Sequence, residues 1–190
     1  MIKHLRFFML NLLVLVSAAV MAQTTIDFTK LTWSSPFVQS PYTFSAEKNS
    51  GSTAPTQNGN TKDIRLYAKN SLTVSTSSEK MGTIVFHISK KGLEQWAEIT
   101  PDNGSVTVST ENKTATWENI EGATSVTFTV GDKSKYGTKG TNKAGQFCFD
   151  SVDITTLGGS SDTSTSLTFG ADVDGKTFVV RQGDSFADKT

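Results

Sequence analysis

Along most of this chain, apolar and polar residues alternate with a period of two, and that alternation constrains the fold more than any other feature. Ile64, Leu66 and Ala68 fall on one side of an extended segment, and Arg65 and Tyr67 fall on the other. Ile84, Phe86 and Ile88 repeat the pattern, as do Val126, Phe128 and Val130. Successive side chains of a strand point to opposite faces, so such segments bury one face and wet the other. Thr, Ser, Val, Phe and Gly dominate, and strands are predicted over residues 25–29, 42–47, 63–68, 71–76, 82–89, 105–110, 114–118, 125–130 and 145–155. The predicted fold class is all-β, an antiparallel β-sandwich whose sheets each keep one wet face. The one helix candidate is residues 93–99.

The last long strand changes phase. Phe147 and Phe149 are odd-numbered, whereas Val152 and Ile154 are even-numbered. One extra residue near Asp150-Ser151, a β-bulge, would keep all four in the core. Alternatively both faces are buried there, with Cys148 as a small apolar residue. Asp102-Asn103-Gly104 is a turn signal, because Asn and Gly accept positive φ. Lys69-Asn70 between two strands reads as a tight hairpin. Longer loops are expected at 49–62 and at 131–144, the second carrying Lys133, Lys135, Tyr136, Lys139 and Lys143.

The N-terminus has the make-up of a secretory signal peptide. Lys3, His4 and Arg6 precede an apolar run from Phe7 to Val16, and Val20 and Ala22 stand where a signal peptidase reads. The apolar run is shorter than the roughly 20 residues a membrane-spanning helix needs. Cleavage after Ala22 is expected, which makes residues 1–22 a signal peptide and the product secreted or displayed on the cell surface, with no transmembrane segment after cleavage.

The chain has 18 basic and 18 acidic residues; removing Lys3 and Arg6 leaves 16 against 18, a formal net charge of −2. That balance gives no electrostatic reason to bind nucleic acid. Cys148 is the only cysteine, which excludes an internal disulfide framework and leaves the core to hold the fold. The sandwich is expected over residues 23–157. Gly158-Gly159-Ser160-Ser161 opens a flexible linker over 158–166, and a β pattern restarts at 167–190. About 24 residues are too few to bury a core, so this last piece is expected to be an incomplete β segment.

Two resemblances follow. The block from Asp63-Ile64-Arg65-Leu66-Tyr67 through Ile84-Val85-Phe86, Trp117, Ser125-Val126-Thr127-Phe128 and Gly145-Gln146-Phe147 to Ile154 resembles a jelly-roll-like β-sandwich accessory module of secreted Bacteroidetes-type multidomain proteins. This resemblance implies an accessory role without catalytic residues. The tail Val179-Val180-Arg181-Gln182-Gly183-Asp184-Ser185-Phe186 resembles the opening strands of a bacterial Ig-like (group 2) repeat.

Chemistry-bearing residues are sparse. His87, the only histidine after cleavage, is flanked by the inward Phe86 and Ile88 and so points to the opposite face, without the partners of a triad or a zinc site. Cys148 reads as an inert buried thiol. Glu94, Glu98, Glu111, Glu118 and Glu121 read as solvated charge rather than as the paired carboxylates of glycoside hydrolysis. Asp172-Val173-Asp174-Gly175 lacks the further ligands of a calcium loop and reads as a turn. No catalytic residue, metal or cofactor is expected. Exposed aromatics on a sandwich can stack sugars. Trp33, Arg65, Tyr67, Trp96 and Tyr136 are therefore the candidate ligand-binding residues, with Trp117 assigned to the core beside Ala115.

The expected function is a non-catalytic secreted or cell-surface binding or spacer module, carbohydrate-binding or adhesive, whose partner is a glycan or a host or cell-surface protein. The alternative is an accessory domain of an extracellular hydrolase whose catalytic domain is absent from this chain.

Overall fold

The computed structural model describes residues 23–157 and, beyond them, the backbone of two strands, Thr165–Thr168 and Thr177–Val180. The expected signal peptide lies outside the described residues, as does most of the expected linker and Ig-like segment.

Residues 23–157 form two antiparallel sheets packed face to face, a β-sandwich. Strands are numbered in chain order. The seven-stranded sheet contains β1 (Gln23–Asp27), β4 (Thr56–Gln57), β5 (Ile64–Tyr67), β7 (Met81–Ile88), β9 (Ser105–Ser109), β10 (Thr114–Ala123) and β12 (Gln146–Thr156). Its order is β4-β5-β12-β7-β10-β9. β1 pairs with Ser151 to Thr155 of β12, so β1 and β5 lie end to end along one edge of that strand. The five-stranded sheet runs β2 (Phe37–Gln39), β3 (Tyr42–Glu47), β6 (Ser71–Thr76), β11 (Ser125–Ser134) and β8 (Ala97–Pro101) in that spatial order.

The pairing is nested: β12 with β5, β11 with β6, and β10 with β7. A two-stranded ribbon rolled over the core gives this winding, which is that of a jelly roll. β9 departs from it by turning back onto β10 instead of widening the smaller sheet.

The strands read from alternation in the sandwich bury the face it assigns them. Phe86 meets Phe128 of the opposite sheet edge-to-face at 5.2 Å and touches Phe147 and Phe149 at the same distance. The expected core residues Phe86, Phe128 and Phe149 are all buried. The phase slip is a bulge: Phe149 pairs with Ile88 and Ser151 with His87, leaving Asp150 unmatched. Phe147, Phe149, Val152 and Ile154 are thereby all buried, and Cys148 is buried from the other side.

Three expectations are corrected. Residues 93–99 are not a helix; a single 3-10 turn, Gly92–Glu94, precedes β8. Ala97 and Ile99 are buried and Glu98 and Thr100 exposed, a period of two that β11 satisfies by pairing. Lys69-Asn70 is not a hairpin, because β5 and β6 belong to different sheets and the dipeptide is the corner between them. The loop expected from 131 starts late, since Gly131 to Ser134 extend β11. The short β2 and β4 had no periodic signal, and Pro36 and Pro41 bracket β2. Thr165–Thr168 pairs antiparallel with Thr177–Val180.

Candidate functional site

The alternation that buries Phe44, Leu72, Val74, Val126 and Phe128 turns their neighbours outward, and nearly all of those neighbours are hydroxyl residues. The register sets them in rows across the smaller sheet. Ser45, Thr73 and Thr127 form one row, and Glu47, Ser71, Thr129 and Thr100 form the next. Thr73 and Thr127 share a hydrogen bond between their hydroxyls at 2.9 Å.

This face dips into an open depression of about 760 Å³, lined by Thr100, Thr127 and Thr129 on the strands and by Asn49, Lys69 and Asp102 at the rim. Its floor is rigid sheet. The corner at Asn70 fixes one side: the buried Asn70 side chain accepts from the Tyr67 amide at 2.9 Å and donates to the carbonyls of Lys48 and Thr53 at 3.1 and 3.0 Å. Lys69, at φ 68°, is the left-handed residue of that corner, and its ammonium stands 3.7 Å from Asp132 on the rim. Opposite, Asp102 accepts from the Thr127 amide at 3.0 Å and from the Asn103 side chain at 2.7 Å. The result is a shallow surface of hydroxyls, an amide and charges of both signs.

The five residues expected to bind ligand do not form one surface. Arg65 and Tyr67 share the outer face of β5 opposite Cys148 and Gln146. Tyr136 packs edge-on against Trp96 at 5.6 Å beside Gln146. Trp96 itself is buried, which corrects its assignment: a ring enclosed by protein has no face left for a sugar. Trp33 lies beside β4, where its amide donates to the Gln57 side chain at 3.0 Å. Its ring stacks on Phe37 at 5.5 Å and meets Phe28 at 5.7 Å, so it closes the core and is half-buried.

Arg65 is engaged by its own strand. Its guanidinium donates to Asp63 at 3.1 and 3.2 Å, and Asp63 is buried. Thr61 also donates to Asp63, and Ser89 does so at 3.0 Å. Burial opposes the Asp63 charge, but these hydrogen bonds and the Arg65 charge outweigh it and hold the carboxyl below its usual pKa.

His87 lies on the outer face of the larger sheet, 2.9 Å from Asp153, whose other oxygen accepts from Thr25 at 2.6 Å. Desolvation raises the Asp153 pKa, and the hydrogen bonds from Thr25 and His87 bring it below the usual value. Cys148 is covered by the turn of Gly92, and desolvation pushes its thiol up to about 12, far from a reactive thiolate. Glu94 accepts from Lys139 and Lys91, which lower its pKa to about 2. Among the described residues no three His, Cys, Asp or Glu side chains are grouped to hold a metal ion. No helix among them is long and apolar enough to cross a membrane.

No family model matches this chain, and no curated protein matches it in sequence.

Sequence reasoning missed Thr100, Thr127 and Thr129. The outward phase of Thr127 and Thr129 was legible in the alternation, whereas Thr100 follows the stretch read as a helix. That they meet across β8 and β11 depends on strand order, which no local pattern carries.

Proposed function

We propose that this protein is a non-catalytic binding module of a secreted or cell-surface protein, and that the depression on the outer face of the smaller sheet takes a glycan. The depression carries the reading. It presents the hydroxyls of Thr100, Thr127 and Thr129, the amide of Asn49 and the charges of Lys69 and Asp102 on a rigid scaffold, and a carbohydrate is recognised by such fixed donors and acceptors. Export is supported by the basic, apolar and small-residue succession of the first 22 residues.

The test is a glycan array followed by titration of the best binder. Thr129→Arg fills the depression and should abolish binding, whereas Tyr67→Ala on the other sheet should leave it unchanged. Loss on Tyr67→Ala with retention on Thr129→Arg would move the site to the Arg65–Tyr67 face. Absence of any glycan binding would remove the reading.

A further inference from the structure

We infer that β9 is a self-association edge through which two copies of this chain pair about a twofold axis at Thr107. β9 ends the larger sheet: one side pairs with β10, and among the described residues no backbone group bonds its other side. A sheet edge is an open row of amides and carbonyls, and proteins ordinarily guard it with charge, proline, a bulge or brevity. The sandwich's other edges carry such guards. β4 is two residues long, β2 lies between Pro36 and Pro41, β8 carries Glu98 and ends at Pro101, and β1 ends in Asp27. β9 is Ser105-Val106-Thr107-Val108-Ser109 and has none of them.

Its residue order also identifies the occupant. The five residues read the same in both directions. An antiparallel copy centred on Thr107 therefore sets Ser105 against Ser109, Val106 against Val108 and Thr107 against itself. Like side chains therefore oppose like across the axis, which leaves no size or polarity mismatch in an isologous twofold contact, and such a contact closes as a dimer rather than growing a fibre. Faces match as well. Val106 and Val108 pack against the core rim beside Trp117 and Ala115, so the copy's valines continue the same buried layer, while Thr107 is exposed on the outer face. Beyond the strand, the same register sets Asn103 against Glu111 and Asp102 against Asn112, so no like charges meet. Five paired residues make a contact below the standard interface size, and the association is correspondingly weak.

The experiment is sedimentation velocity on the processed chain, residues 23–190, from about 1 µM to about 1 mM, the range in which small interfaces associate. A monomer–dimer equilibrium is expected. Thr107→Lys sets two ammonium groups face to face on the axis and should shift the dimer midpoint at least about tenfold upward. Mixing Thr107→Lys with Thr107→Glu should restore a heterodimer, which a merely misfolded variant would not do. A wild-type chain monomeric throughout, or a Thr107→Lys chain that dimerises as the wild type does, would overturn the inference.

Discussion

The indole of Trp117 donates to the backbone carbonyl of Asn103 at 2.7 Å, so a fully buried ring on β10 secures the turn by which the chain leaves the smaller sheet for β9. Gly104 follows within that turn at φ 71°, and a Cβ there would stand 2.5 Å from the same indole nitrogen. Trp117→Phe should lose about 1–3 kcal/mol, because the carbonyl loses its donor while most of the ring volume stays. Gly104→Ala adds a clash to left-handed strain and should cost about as much. Chemical denaturation of both variants checks this.

Asn70 is a buried polar residue that ties three backbone groups at the corner between the sheets. Asn70→Ala strands the Tyr67 amide and the Thr53 carbonyl at once, while the Lys48 carbonyl keeps the Gly51 amide. A loss of about 3 kcal/mol or more is expected, well above the usual point mutation. Asn70→Asp should be no better, because a carboxylate cannot donate to two carbonyls. Equilibrium unfolding in urea measures both; a cost below about 1 kcal/mol would mean that the corner tolerates the vacancy.

Phe128 joins Phe86 across the sheets and meets Trp117 at 6.4 Å. Phe128→Ala should cost about 3–5 kcal/mol through lost burial and the cavity left behind. The same denaturation series reads it.

Asp63 makes stability depend on pH. Its folded pKa lies below the 3.8 of the free side chain. The unfolded chain therefore binds the proton first on acidification. The contribution is complete above about pH 4–5 and is lost as pH falls through the folded value. The thermal midpoint should drop between about pH 5 and pH 2, and Asp63→Asn should be less stable at pH 7 yet show a shallower acid limb.

Cys148 should resist alkylation at neutral pH in the native protein and react at once in denaturant, since its thiol is buried and its pKa stands at about 12. Mass spectrometry after iodoacetamide treatment distinguishes the two states. Rapid native labelling would show that the turn over Cys148 opens.

What the chain disclosed locally and what it withheld follow one division. Alternation placed β3 and β6 to the residue and offered two ways to bury Phe149 and Val152 together, a bulge or a strand buried on both faces; the structure has the bulge at Asp150 and buries Cys148 as well. Alternation mistook 93–99 for a helix, since Leu93, Trp96 and Ala97 also fit a turn-like spacing until β11 pairs with Ala97 and Ile99. It took Lys69-Asn70 for a hairpin because a turn signal does not say which sheet the next strand joins. The scatter of the aromatic candidates was hidden for a related reason. Trp33 and Trp96 stand in irregular segments, and only the three-dimensional packing shows that Phe37 and Tyr136 occupy their faces.

The position of β12 sets a schedule for folding. It is the last strand of the sandwich in sequence, yet it lies inside the larger sheet and pairs with β1, β5 and β7. A chain emerging N-terminus first holds β1 and β5 without their common partner until residue 156 has followed. Long-range pairing of this kind is slow, because distant segments must meet before any contact rewards them. The domain therefore completes itself late and all at once, and a chain cut before Gln146 would lack the strand on which three others depend.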